Sequence, residues 1–172
     1  MATKTKTFEM FGVTYRTRQF AAVRALELAT DVDSSPLAVL EFTDVLVGED
    51  WVALDSRERV NQYVLDRADV LAPRIVLKAL LKTVGDHSWS IARGWKGVRV
   101  PTRFTADGQG VATRESAYVD PVIAALLGAD MARLRELEEY YSLEDALKMF
   151  DVMVAKGVSE AFANEHAQKG RK

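Results

Sequence analysis

The chain of 172 residues contains no cysteine, which excludes disulfides, thiolate nucleophiles and cysteine-ligated zinc or iron-sulfur centres. Histidine is nearly absent too. His87 and His166 are the two present, and neither has a ligand partner at H-x-x-x-H spacing, so the residues offer no metal site and no cofactor is expected. Long apolar runs are missing: a stretch such as Val122 to Leu127 falls far short of the roughly 18 residues of a membrane span. The opening Met1-Ala-Thr-Lys-Thr-Lys-Thr is polar and lacks the apolar core of a secretory signal, so synthesis in the cytoplasm without a membrane partner is expected. An excess of either charge is lacking as well. The net charge of -2, from 23 basic and 25 acidic residues, draws the chain as a whole neither to nucleic acid nor to a membrane.

The remaining composition is that of a globular chain, 48% apolar and long enough to bury one sizeable core. Helix signals dominate. Ser142-Leu-Glu-Asp145 has the S-x-x-[DE] form of a capping box and opens a helix at about Leu143. That helix carries Leu143, Ala146, Leu147, Phe150, Met153, Val154, Ala161 and Phe162 as one apolar stripe.

Upstream, Thr7 to Thr17 reads as a β-hairpin turning at Gly12. Thr17 is expected to cap a helix over Arg18 to Ala29, broken at Asp31-Val-Asp-Ser34. Ser35-Pro36 starts a second helix, strongly apolar and running to about Val47, with Gly48 as its stop and Trp51 in the following turn. Asp55-Ser-Arg-Glu58 offers a capping box for a third. Pro73 opens a fourth, ended by Gly85 at Val84. Asp120-Pro121 starts a helix that Gly128 ends, and Asp130 is expected to cap Met131 to Glu139.

The predicted fold is therefore mainly α: short amphipathic helices with an N-terminal β-hairpin and a small β/loop insertion near residues 86-116. The division expected is a domain over 1-141 and a C-terminal amphipathic helix over 142-172. Gly157 lies inside that helix, where glycine costs about 1 kcal/mol relative to alanine and marks a kink or a close contact. The part before Gly157 is expected to pack internally and the part after it to be a partner-binding arm.

No catalytic arrangement is legible. There is no G-x-S-x-G, and Gly94-Trp-Lys-Gly97 and Gly108-Gln-Gly110 lack the remaining residues of a phosphate loop. Asp44/Glu49 and Glu138/Glu139 are explained by solvated helix faces. The insertion differs in kind from its surroundings. It mixes aromatics with cations, and Val98 to Phe104 alternates as one or two short strands would. Tryptophan and arginine are the residues most enriched at protein-protein hot spots. Trp89, Arg93, Trp95, Lys96, Arg99 and Arg103, with Phe162 on the terminal helix, are therefore the candidate protein-binding residues. Aromatic and basic residues also line single-stranded nucleic-acid grooves, but the near-neutral chain favours a protein partner.

Three stretches together resemble a tail assembly chaperone of tailed bacteriophages: Lys6-Thr-Phe-Glu-Met-Phe-Gly-Val-Thr-Tyr15, the short helices with Ser35-Pro36-Leu37, and Glu138-Glu-Tyr-Tyr-Ser-Leu-Glu-Asp-Ala-Leu147 before an amphipathic helix. The resemblance covers both ends, about half of the chain. It implies a non-enzymatic protein of the host cytoplasm, encoded just before the tape measure protein, which keeps that protein soluble and helps to recruit tail tube subunits. It also implies a longer frameshifted product, for which the codons of Lys169 to Lys172 are the place to look. Self-association is compatible with such a role. Two other classes fit the residues: a structural component of the tail or baseplate, retained in the virion, and a small nucleic-acid-binding regulator using Trp89 to Arg103.

Overall fold

A computed structural model describes residues 4-31, 35-67, 72-105 and 119-170. The chain is mainly α and carries one antiparallel sheet of four strands in sequence order: β1 (Thr5–Met10), β2 (Val13–Arg18), β3 (Thr43–Val47) and β4 (Asp50–Ala53). Among the described residues the helices are α1 (Ala22–Thr30), α2 (Pro36–Leu40), α3 (Arg57–Val60), α4 (Pro73–Gly94), α5 (Pro121–Gly128), α6 (Leu134–Glu139) and α7 (Leu143–Lys169). A π-helical turn, Asn61–Leu65, continues α3, and a 3-10 turn spans Thr102–Phe104.

Two-residue periodicity sets the sheet's faces. Phe8, Tyr15, Thr17, Thr43, Val45 and Val52 share the inner face, where Phe8 stacks on Tyr15 with ring centroids 5.7 Å apart. Arg16, Asp44 and Trp51 share the outer face. There Arg16 donates from Nε and Nη2 to Asp44 Oδ2 and lies 4.4 Å from the Trp51 ring centre. Phe11 and Gly12 both have positive φ, the requirement of the tight turn that joins β1 to β2.

The sheet is larger than the hairpin expected from sequence, and the difference falls between Leu40 and Ala53. Ser35 caps α2 through Ala38 N-H, but the helix ends at Leu40 and not at Val47. Thr43, Val45 and Val47 are β-branched and stiff at χ1, and their backbone finds partners on both sides, in β2 and β4. Trp51 lies in β4, not in a turn. The helix expected from Arg18 begins only at Ala22. Thr17 and Arg18 belong to β2, and the buried Thr17 hydroxyl accepts from Thr43 Oγ1 at 3.1 Å, so it is not a helix cap.

Three further boundaries differ. The α3 cap is Ser56, which accepts from Arg59 N-H, while Asp55 pairs with the Arg59 side chain at 2.9 Å. Gly85 does not end α4, which continues to Gly94 and carries Trp89 and Arg93 on regular helix. The second half of the expected insertion therefore starts later: residues 95-101 are irregular, Thr102–Phe104 form a turn and not a strand, and 106-118 lie outside the described residues. Asp130 has a φ of +55° and does not cap; α6 starts at Leu134, where the Glu136 carboxylate accepts the Arg133 N-H at 2.8 Å.

Asp120 caps α5 through Val122 N-H, and the capping box at α7 is present as read: Ser142 Oγ accepts from Asp145 N-H, and the Asp145 carboxylate accepts from Ser142 N-H. The main core lies between the inner sheet face and α1, α2 and α4, and includes Tyr15, Phe20, Leu40, Val45, Leu54 and Leu80. A smaller one gathers Ala22, Ile123, Leu126, Leu137 and Ala146. Leu143 and Leu147 of α7 enter the first and Ala146 the second, so the opening turns of α7 join both cores across the boundary expected at 141. The helix runs unbroken through Gly157, where a Cβ would meet nothing within 4 Å.

Candidate protein-contact face of the last helix

The sequence-predicted residues divide into two groups. Trp89 and Arg93 project from α4. The Trp89 indole donates to Ala25 O at 2.9 Å and meets Phe20 edge-on at 5.1 Å, so it is a half-buried residue that packs on the main core and ties α4 to α1. Arg93, with Lys82, pairs with Asp86, and those two cations hold the Asp86 carboxyl below its usual range, Lys82 contributing most.

Trp95, Arg103 and Phe162 come together along α7, with residues 95-105 lying beside its outer half. Trp95 donates from Nε1 to Asp151 Oδ2 at 3.0 Å, and its ring meets Phe150 edge-on at 5.8 Å. Farther along, Phe104 meets Phe162 at 5.0 Å with planes 85° apart. The Arg103 guanidinium lies 4.7 Å from the Phe104 ring centre and 5.2 Å from that of Phe162, and pairs with Glu165 at 3.3 Å. The Glu165 carboxyl is held below its usual range, first by Lys169 and then by the nearby Arg103. Lys96 and Arg99 are exposed.

Phe162 is thus not on a free arm: it is covered on one side and remains 36% exposed, while Val152 is 61% exposed. Phe104, Phe150, Asp151 and Glu165 complete the arrangement. Phe150 and Phe104 were visible in the stripe and in the alternating run, but nothing in the sequence pairs either with its partner.

The inner end of α7 has a different character. Glu144 sits at a polar knot, accepting from Lys148 at 2.6 Å, Lys4 at 2.9 Å and Gln19 Nε2 at 3.4 Å. The same Gln19 amide donates to His87 O at 3.1 Å. The hydrogen bond from Lys148, then that from Lys4, lowers the Glu144 pKa to about 2. Glu144 and Gln19 together therefore connect the residue before β1, the β2-α1 junction, α4 and α7.

On the outer sheet face Thr5, Arg16, Arg18 and Asp44 line an open recess. Asp44 pairs with Arg16 there. Among the described residues no group of three or more His, Cys, Asp or Glu is placed to hold a metal ion, and no helix is long and apolar enough to cross a membrane. Comparison with protein-family models, curated proteins and solved structures gives no match.

Proposed function

We propose that this chain is a non-enzymatic tail assembly chaperone of a tailed bacteriophage, acting in the host cytoplasm to bind the tape measure protein and help recruit tail tube subunits. The resemblance at the two ends of the sequence supplies the family. The observation that supports it most directly is the two-part nature of α7. Its first turns are core, whereas the half beyond Phe150 has no fully buried residue and presents apolar side chains at helical spacing. An amphipathic helix anchored in the core at one end and only partly covered at the other suits the capture of a long helical substrate by helix-in-groove contact.

The test is the composition of the particle. Co-expression with the tape measure protein of the same genome should keep that protein soluble, and mature virions should lack this chain. Its presence at fixed copy number in purified particles would instead assign it to the tail or baseplate.

A further inference from the structure

Residues 95-105 cover part of α7 without adding a backbone hydrogen bond to it among the described residues. The described backbone hydrogen bonds of this segment are local: Trp95 N-H to Ala92 O, Phe104 N-H to Pro101 O and Thr105 N-H to Thr102 O. None of its residues is fully buried. It is held to α7 by side chains at two places, Trp95 on Phe150 and Asp151, and Arg103-Phe104 on Phe162 and Glu165. Aromatic edges, one indole hydrogen bond and a solvent-exposed ion pair are contacts that a competing segment can replace one for one. A segment with few buried contacts and no shared backbone ladder also belongs to the part of a fold that opens first.

We propose that residues 95-105 are a releasable strap, and that the α7 face beneath it is a docking surface whose incoming partner must reproduce the strap's chemistry. This rests on the reading of the chain as a protein that captures a helical partner. Phe150 and Phe162 are twelve positions apart on one helix, about 18 Å along its axis and about 120° around it, so the strap passes between them as it runs along α7. A segment that takes the strap's place meets both if it brings a large aromatic or apolar side chain to each, about 18 Å apart. Asp151 selects a hydrogen-bond donor beside the first of these, as the Trp95 indole is, and Glu165 selects a cation beside the second, as Arg103 is. The occupant is thus an aromatic-bearing, locally basic segment of the partner chain. The strap keeps the face covered until that segment arrives.

The strap's own sequence is the probe. A fluorescently labelled peptide of residues 95-105 is titrated into the full-length chain and into the full-length variant Trp95→Ala/Arg103→Ala/Phe104→Ala, with anisotropy as the readout. The opened variant should bind the peptide saturably and at least about ten-fold more tightly than the wild type, and Phe162→Ala added to it should remove that binding. Equal binding to both proteins, or no saturable binding to the opened one, overturns the proposal. If the triple variant has lost its helical circular dichroism, Arg103→Glu decides. This exposed substitution sets like charge against Glu165, and must raise peptide binding above wild type for the proposal to stand. The assay contains no phage component. A positive result with the chain present in mature virions would keep the strap and discard the chaperone, and a negative result with virions lacking the chain would do the reverse.

Discussion

Gly85 makes room for Trp89: a Cβ at position 85 would stand 3.0 Å from Cζ3 and 3.1 Å from Cε3 of that indole, one turn farther along α4. The ring cannot retreat, because its Nε1 is bound to Ala25 O and its edge meets Phe20. Alanine would gain about 1 kcal/mol of helix propensity at this site, but overpacking costs about 1-3 kcal/mol. Gly85→Ala should therefore lower the stability measured by urea unfolding, by about 1 kcal/mol net. A stabilised variant would show that the indole is free to move.

Gly157 gives the opposite sign. Nothing stands within 4 Å of its Cβ position and the helix continues on both sides, so Gly157→Ala should stabilise the protein by about 0.5-1 kcal/mol. Thermal unfolding of the two alanine variants side by side distinguishes a glycine kept for packing from one that packing does not require.

Acid should loosen the knot at Glu144. Its pKa in the folded chain is about 2, below the ordinary 4.5, because Lys148 and Lys4 hold the charged form. The stabilisation is fully present above the ordinary value and is lost as the pH falls from there towards about 2. Glu144→Gln should cost about 1 kcal/mol at neutral pH, given a charge-assisted cluster that water still reaches. Between the two pKa values the variant should show a shallower fall in stability than the wild type.

The two halves of α7 should also differ under truncation. Leu147 is 5% exposed in the main core, so Leu147→Ala should cost about 2-4 kcal/mol. Removing everything after Gly157 sacrifices the Phe104-Phe162 contact, worth about 0.5-1.5 kcal/mol, and the solvent-screened Arg103-Glu165 pair. A truncated chain less stable than Leu147→Ala would place the outer half of α7 in the core.

What was legible in the sequence were features with local chemistry. Ser142 with Asp145, Asp120 before Pro121 and Gly12 in its turn each act within three residues, and each stands where expected. Leu40 to Val47 was misread because a short apolar run carries no periodicity that separates a buried strand from a buried helix. The strand there is decided by partners far off in the chain: Tyr15 pairs with Val45, and Asp44 with Ala53. Gly85 reads as a helix stop in the sequence for a related reason. Its purpose is a space for Trp89 against α1, and helical punctuation by itself cannot reveal what packs on the other side. The contact face shows both effects. Trp95, Arg103 and Phe162 stand out by residue type, but only the three-dimensional course of residues 95-105 pairs them with Phe104, Phe150, Asp151 and Glu165.

The knot at Glu144 fixes when the fold can be completed as well as how firmly it holds. Gln19 and Glu144 are 125 positions apart, and close by the Ala22 N-H donates to Tyr141 O at 2.7 Å. A chain emerging from the ribosome at about 5-20 residues per second makes the whole sheet and α1 to α4 several seconds before the turns of α7 that close both cores. During that interval Ala22, whose N-H later donates to Tyr141 O, lacks part of its final cover. Synthesis of α7 is the event that closes both cores over the earlier elements, and the slow, long-range step in their folding is the arrival of residues 141-147 at the β2-α1 junction.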